Sequence, residues 1–227
     1  MRRYDPDAFQ PDLHAVLPAP SARVIKVLGA VVTEARLARI RGVIAQRTRR
    51  VVPVLEGLSD PHNGSAILRS ADAFGISDVH IVPGEHGFFA ARTVSKGAHR
   101  WLDLHGHASS EACADALEAL GYPIYVASME GALRPADLAS LDRCAIVFGN
   151  ERHGPSQTLR RRATGTYAVP MRGFVESLNV SVAAAITLHG VVADRPGDLS
   201  EADQEALLAR MLFRSIPRAA EILAEAE

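Results

Sequence analysis

The sequence has few cysteines and no long apolar run. Its two cysteines, Cys113 and Cys144, form no CxxC pair, so the sequence suggests neither a disulfide framework nor a cysteine zinc motif. The longest uncharged run, residues 177–193, is interrupted by Asn, Ser, Thr, His and Gly, and the N-terminal residues lack the apolar segment of a signal peptide. We therefore expect a cytoplasmic protein that does not enter a membrane.

Familiar phosphate, dinucleotide and metal motifs are also missing. Gly149 and Gly154 have the spacing of a P-loop, but Pro155 stands where that motif requires lysine. No GxGxxG follows a predicted strand, which argues against a Rossmann dinucleotide site. The histidines, including those of the HGH stretch at 105–107, have no metal-binding spacing, so we expect no metal.

The length and composition favour one main domain with appendages. A chain of 227 residues that is 48% hydrophobic can bury one sizeable core. The first residues, 1–20, are rich in proline and are predicted to be irregular. They are followed by a basic N-terminal helical arm at 21–50, a main domain at 51–192 and a C-terminal helical extension at 193–227.

Charge is distributed unevenly although the formal net charge is only −1. Residues 23–50 hold eight basic residues and one acid, whereas residues 194–227 hold eight acids and four arginines. A basic helical arm suits a polyanionic partner, because each phosphate contacted releases counterions. The alternatives are a solvated helix face, or arginines that brace the arm against the C-terminal acids. The candidate RNA-binding residues are Arg36, Arg39, Arg41, Arg47, Arg49 and Arg50.

Short apolar runs alternate with helical patterns through the middle of the chain, which predicts an α/β fold with a parallel sheet covered on both faces. The predicted strands are 51–55, 79–83, 124–128, 144–148 and 166–170, and the predicted helices are 64–74, 112–120, 156–163 and 178–192. Gly75 and Gly121 are expected to end helices, and Ser177 is expected to cap one.

Three strand-to-helix loops are unusual, and ligands of parallel sheets bind at such loops. They are DPHNGSAILRSADAFG at 60–75, FGNERHGPSQ at 148–157 and VPMRGFVESLNVSVAAA at 169–185. Taken alone, Asn63 could be a helix N-cap and Arg69 a surface ion-pair residue. Gly149 could be a plain turn glycine.

In order and spacing, the three loops resemble the motifs of the SpoU, or TrmH-type, RNA 2′-O-ribose methyltransferases of the SPOUT superfamily. The resemblance covers roughly residues 35–192, and both flanks resemble the terminal helices of tRNA-specific members. It implies a deep trefoil knot in the α/β domain, S-adenosylmethionine as methyl donor, and a homodimer with the active site at its interface.

The resemblance also implies roles for individual residues. The catalytic set is Arg69, Asn63, Glu151, Ser177 and Asn179, with Arg69 as the central residue. The S-adenosylmethionine site lies among Ser128, Gly149, Val169, Met171 and Leu178. Because arginine has a pKa above about 12, we expect it to act with an RNA phosphate or to stabilise an alkoxide, rather than to serve alone as a base.

The function expected from this resemblance is methylation of a ribose 2′-hydroxyl in tRNA, at the D-loop guanosine numbered 18. A 23S ribosomal RNA methyltransferase of the same family would keep every catalytic residue. A non-catalytic RNA-binding factor on the same scaffold is a further alternative, and it would fail to bind S-adenosylmethionine.

Overall fold

Six parallel strands form the sheet of the computed structural model, which describes residues 17–84, 100–192 and 195–226. The strands are β1 (Val51–Glu56), β2 (Asp78–Val82), β3 (Asp103–Gly106), β4 (Ile124–Ala127), β5 (Cys144–Phe148) and β6 (Gly165–Tyr167). Their order in the sheet is β3-β2-β1-β5-β4-β6, and every neighbouring pair is parallel. The predicted α/β fold with a parallel sheet is confirmed.

Helices cover both faces of the sheet. They are α3 (Pro61–Ala73), α4 (Ser110–Ala119), α5 (Pro135–Leu138), α6 (Gln157–Arg162) and α7 (Val180–Val192). Alternate residues of β1 enter two separate cores: Val51 and Leu55 join the core that contains α3, α5 and α7, and Val52 and Val54 join the core of α4 and α6. A strand buried on both faces is continuously apolar, which is why these strands could be read from sequence.

Sequence patterns located most elements within a few residues but missed some. The edge strand β3 was not predicted, because its sequence DLHG is short and half polar. Helix α3 begins three residues before the predicted start. Gly75 and Gly121 end their helices with φ of 77° and 74°, as expected for glycine at a helix C-terminus.

A second unit contains α1 (Ser21–Gly29), α2 (Glu34–Ile44), α8 (Glu201–Ser215) and α9 (Ala219–Glu225). Helix α8 packs against α1 and α2, and α9 packs against α1. The side chain of Arg23 donates to the carbonyl of Leu223, which ties the first helix to the last. Helices α1, α2, α8 and α9 thus form one helical unit. Of the predicted irregular segment, residues 1–16 lie outside the described residues.

None of the helices in the described ranges has both the length and the apolar character needed to cross a bilayer.

Candidate active site

Helix α3 is capped by Asp60, whose side chain accepts a hydrogen bond from the backbone N–H of His62 at 2.8 Å. Pro61 takes the first helical position, where no backbone N–H is needed. Asn63 is therefore not the N-cap, the alternative role that its sequence position allowed. It lies in the first helical turn and is only 7% exposed. A buried amide needs hydrogen-bond partners, and Asn63 has two.

The first partner is Glu151, from the loop between β5 and α6. Asn63 Nδ2 donates to Glu151 Oε1 at 2.9 Å. The same carboxylate accepts from the backbone N–H of Ser59 at 3.0 Å, from the Ser59 hydroxyl at 2.7 Å and from the backbone N–H of Asp60 at 3.2 Å. Glu151 thus fastens the loop after β5 to the start of α3.

These hydrogen bonds keep Glu151 ionised at acidic pH as well as at neutral pH. Desolvation raises the pKa of its carboxyl group, but the hydrogen bonds from Asn63 and Ser59 outweigh it and lower the pKa to about 2. The group is therefore ionised at neutral pH and is a weak base. Its geometry suits it to ordering the site rather than to removing a proton.

The second partner is Asn179. Its Nδ2 donates to Asn63 Oδ1 at 3.1 Å, so the Asn63 side chain bridges Glu151 and Asn179. Asn179 Oδ1 also accepts from the backbone N–H of Ser181 at 2.9 Å, which makes Asn179 the cap of α7. The prediction that Ser177 caps this helix was wrong, because α7 starts at Val180 and Ser177 lies too far upstream.

Arg69 and Ser177 lie outside this hydrogen-bonded chain. Arg69 is exposed on α3, six residues or roughly 240° around the helix from Asn63. Its guanidinium makes no hydrogen bond or ion pair with any described residue. Ser177 is exposed in the segment before α7. Among the described residues, the structure thus brings together three of the five predicted catalytic residues and leaves Arg69 and Ser177 outside this group.

The five predicted cofactor residues follow three adjacent strands. Ser128 follows β4, Gly149 follows β5, and Val169, Met171 and Leu178 follow β6. Because the strands are parallel, all these loops start at the same edge of the sheet. The loop after β4 is joined to the end of β6, since Ser128 donates its backbone N–H to the carbonyl of Tyr167 at 2.9 Å. The apolar side chains of Val169 and Leu178 are half-buried and Met171 is exposed, so these loops offer both backbone polar groups and apolar surface.

At two positions in these loops, only glycine leaves room for backbone atoms that pack against its Cα. A Cβ at Gly149 would lie 2.2 Å from the backbone nitrogen of Pro155. A Cβ at Gly131 would lie 2.1 Å from the carbonyl carbon of Tyr167. Gly149 is thus more than a turn glycine, but the backbone it approaches belongs to its own loop. Gly131 was missed by sequence analysis, because nothing in its local sequence reveals a contact with β6.

A cleft of about 710 Å³ opens beside this network, at the carboxyl ends of β1 and β2. Glu56 lies on its wall, is 5% exposed, and accepts hydrogen bonds from the hydroxyl of Ser110 and from the backbone N–H of Ser156. No sequence pattern indicated Glu56, a single acid that ends an apolar strand. The cleft's described lining includes Gly57, Ser59, Asp60, Asn150, Arg152 and His153.

The arginines of the basic arm divide into two groups. Arg36, Arg39 and Arg41 are exposed on α2. Arg47 is only 1% exposed, so the structure contradicts its predicted contact with RNA. Arg49 forms an ion pair with Asp203 at 2.5 Å, which confirms for this residue the alternative of bracing against the C-terminal acids. Arg50 is half-buried.

Comparisons with known proteins give a family from sequence and a shared fold from structure. The model of the SpoU rRNA Methylase family matches residues 50–189. A tRNA (guanosine(18)-2′-O)-methyltransferase of Thermus thermophilus is 36% identical over 159 residues, which cover 69% of this chain and 81% of the relative. The structure resembles that of the A. aeolicus TrmH/SpoU tRNA modifying enzyme, with a TM-score of 0.73, 24% identity, and coverage of 82% and 98% of the two chains.

A second solved structure is the SpoU methyltransferase AviRb from Streptomyces viridochromogenes in complex with AdoMet. It has a TM-score of 0.58 and 24% identity, and the match covers 66% of this chain and 62% of that one. The family match, residues 50–189, contains all six strands and all the loops described above. This chain belongs to the SpoU methylase family of RNA-modifying enzymes.

Proposed function

We propose that this protein transfers a methyl group from S-adenosylmethionine to the ribose 2′-hydroxyl of the D-loop guanosine 18 of tRNA, in the cytoplasm. The observation that carries the proposal is the hydrogen-bonded chain from Glu151 through Asn63 to Asn179. It joins the three motif loops at the start of the helix that presents Arg69. The name of the Thermus thermophilus relative supports the choice of tRNA and of guanosine 18.

The loops after β4, β5 and β6 are proposed to hold the cofactor. Their backbone N–H and C=O groups at Ser128 and Gly149 suit the polar ends of S-adenosylmethionine, and Val169, Met171 and Leu178 suit its adenine ring. The AdoMet complex of AviRb, which shares the fold, supports this choice. When bound, the cofactor supplies an electrophilic methyl group on its sulfonium.

Arg69 is proposed to act on the RNA. Its guanidinium stays charged at any physiological pH, and its planar fork matches a phosphate group. An RNA phosphate held by Arg69 would accept or relay the proton of the 2′-hydroxyl, while the guanidinium stabilises the developing negative charge. Asn63, Glu151 and Asn179 would keep the motif loops in register, and Ser177 would contact the substrate or cofactor from the exposed segment before α7.

A homodimer is proposed to complete the site. Helix α7 buries one side against α3 and α5 but leaves Val182 and Ile186 exposed by 47% and 45%. Just before it, Phe174 and Val175 are also exposed, by 109% and 64%. Contiguous exposed apolar side chains mark interaction surfaces. Because Ser177 and Asn179 lie between these two exposed pairs, a second copy docked here would border the proposed site.

The knot implied by the family stays a proposal for this chain. The close crossing of Gly131 over the end of β6 is compatible with it, since the loop from Ser128 to Leu133 wraps tightly around Tyr167. Arg36, Arg39 and Arg41 are proposed to contact the phosphate backbone of the tRNA.

The decisive experiment maps ribose methylation in tRNA incubated with the purified protein and S-adenosylmethionine. We expect a single 2′-O-methyl group at guanosine 18. The description of the matching family as rRNA methylases makes 23S ribosomal RNA the second candidate, so the same reaction is run on separate rRNA. Methylation of rRNA alone would replace the tRNA proposal. No methylation of either pool, together with no S-adenosylmethionine binding by calorimetry, would favour a non-catalytic RNA-binding factor.

A further inference from the structure

Three histidines meet on one face of the sheet, and none of them belongs to the hydrogen-bonded chain from Glu151 to Asn179. His80 on β2 is paired in register with His105 on β3. His107 follows β3 by one residue, and its backbone N–H continues the ladder by bonding to the carbonyl of Ile81. Side chains two residues apart in a strand point to the same face, so His105 and His107 both flank His80. The ring centroids of His80 lie 4.7 Å from His105 and 5.0 Å from His107.

Helix α4 adds a thiol to this cluster. Cys113, in the second turn of α4, is fully buried in the core on the same side of the sheet as Val82. One potential ligand atom from each of His80, His107 and Cys113 lies within 4.8 Å of the other two. His80 Nδ1 and His107 Nε2 are already 2.9 Å apart. The fold therefore brings two imidazole nitrogens and one sulfur within 4.8 Å of one another.

We propose that His80, His107 and Cys113 bind one Zn²⁺ ion. Histidine nitrogen and cysteine sulfur are the ligands that zinc prefers, and two nitrogens on one tetrahedral zinc ion are about 3.3 Å apart, close to the separation found here. Three protein ligands leave a fourth position for water, and the partial exposure of His107 provides a route to solvent. The three residues come from three separate elements, which is why no local spacing revealed them.

The surroundings of the cluster also suit a cation. Asp78 Oδ1 lies 2.7 Å from His105 Nε2, which holds His105 away from the metal position and fixes its ring against that of His80. Asp78 therefore places a carboxylate beside the cluster, as is common around zinc sites.

The geometry of the imidazole pair indicates what the metal replaces. The rings of His80 and His107 are parallel within 9°, and their centroids are 5.0 Å apart. Two of their nitrogens are only 2.9 Å apart, so these nitrogens must lie close to the line that joins the two centroids. The rings therefore lie edge to edge. One N–H therefore bridges the two nitrogens in the metal-free protein. Zinc would take the place of that hydrogen after a rotation of the two rings, and it would tie β2 and β3 to α4.

The test uses the full-length protein, stripped of metal with a chelator and titrated with Co²⁺ and then Zn²⁺. We expect one equivalent of Co²⁺ to give d–d absorption together with a near-ultraviolet thiolate-to-cobalt band, and Zn²⁺ to bleach both. Cys113→Ser should abolish the thiolate band and weaken Zn²⁺ binding by at least about 100-fold, since even residues that only support ligands contribute 10- to 100-fold. Cys144→Ser is the matched control, because Cys144 is equally buried but belongs to the core on the other face.

A second pair of variants keeps the test independent of the folding of Cys113→Ser. His107→Gln should lose Zn²⁺ binding and the rise in melting temperature that Zn²⁺ gives the wild type. His105→Gln should bind Zn²⁺ with an affinity within about 100-fold of that of the wild type. The proposal is overturned if the wild type shows no thiolate-to-cobalt band, or if that band survives in Cys113→Ser and disappears in Cys144→Ser. None of these measurements depends on methyl transfer, so they are separate from the proposed function.

Discussion

The side chain of Asn179 donates a hydrogen bond to the side chain of Asn63 at 3.1 Å, across 116 residues of sequence. Asn63 passes the connection on to Glu151, and Asn179 at the same time caps α7. Three motif loops are therefore held by two amides and one carboxylate. Each of the two amides has separate donor and acceptor roles, whereas the carboxylate only accepts, so a single substitution at an asparagine can remove one role and keep the other.

Asn179→Asp should separate capping from site assembly. Aspartate still accepts from the N–H of Ser181, so α7 keeps its cap, but it cannot donate to Asn63. We expect a melting temperature close to that of the wild type and a loss of turnover of about 100-fold from the misplaced loops. Asn179→Ala should lose the same activity and also about 1 kcal/mol of stability with the cap. Wild-type turnover in Asn179→Asp would mean that Asn179 acts only as the N-cap of α7.

Arg69→Ala should fold normally and lose methyl transfer. The side chain is exposed and has no partner among the described residues, so its removal should change stability by less than about 0.5 kcal/mol. Turnover should fall by about 100- to 1,000-fold, as for the loss of one group that stabilises a developing oxyanion. Arg69→Lys should be nearly as inactive, because an ammonium group cannot reproduce the planar fork. Single-turnover rates with saturating tRNA measure the activity of both variants. Near-normal turnover of Arg69→Lys would show that the planar geometry of the guanidinium is not needed.

Glu151 should make stability depend on pH below 4.5. Its folded-state pKa is about 2, against 4.5 for an unperturbed group, so its ionised form contributes stability above pH 4.5 that is lost as the pH falls towards 2. Glu151→Gln should therefore lower the melting temperature at pH 7, and the difference from wild type should shrink steadily between pH 4.5 and 2. Thermal unfolding at a series of pH values measures this. A difference that stays constant across that range would show that packing, and not the charge, is what the substitution removes.

Ile186→Glu should weaken the proposed homodimer. A charge on the exposed face of α7 must be desolvated when a second copy docks, so the protein should sediment as a monomer at concentrations where the wild type is a dimer. Methyl transfer should fall with the dimer fraction. The matched control is Leu120→Glu, which changes a residue with comparable exposure, 54%, at the end of α4. A dimeric and active Ile186→Glu variant would place the subunit contact elsewhere.

The sheet was largely readable from sequence because its strands are buried on both faces. Runs such as CAIVF at 144–148 stay apolar throughout, and the structure places β5 within those bounds. Strand β3 was missed because its residues after Leu104 are histidine and glycine, and only its pairing with β2 makes it a strand. The start of α3 was placed late, since Asp60 and Pro61, which begin it, also resemble turn residues.

The site was readable only as a set of residues. The sequence indicated that Asn63, Glu151 and Asn179 belong together, but not that Asn63 lies between the other two, because side-chain contacts across 88 and 116 residues follow from the fold alone. Ser59 and Gly131 carry no local pattern, and their roles come from contacts with distant loops. Charge counting treated the arm arginines as equivalent, whereas tertiary packing separates exposed Arg36 from buried Arg47.

This division of the arm gives a test of RNA binding with a built-in control. If Arg36, Arg39 and Arg41 contact tRNA phosphates, their joint replacement by glutamine should weaken tRNA binding. The slope of the logarithm of the binding constant against the logarithm of the salt concentration should become less steep by about 0.7 to 0.9 for each phosphate that is no longer bound. Arg49→Gln should instead lower stability, because it breaks the pair with Asp203, and should leave the salt slope unchanged.

The measurement is a salt titration of tRNA affinity for the wild type, the triple variant and Arg49→Gln. Binding of S-adenosylmethionine and turnover at saturating tRNA should be nearly the same in the triple variant as in the wild type, because the proposed chemistry lies on the sheet and not on α2. Equal slopes for the wild type and the triple variant would show that these arginines form a solvated face of α2 that does not contact RNA. The tRNA would then have to be bound elsewhere, and Arg161, exposed on α6, is the next residue to test. Its neighbour Arg162 is a poorer candidate, since it is already paired with Asp115 and Glu118.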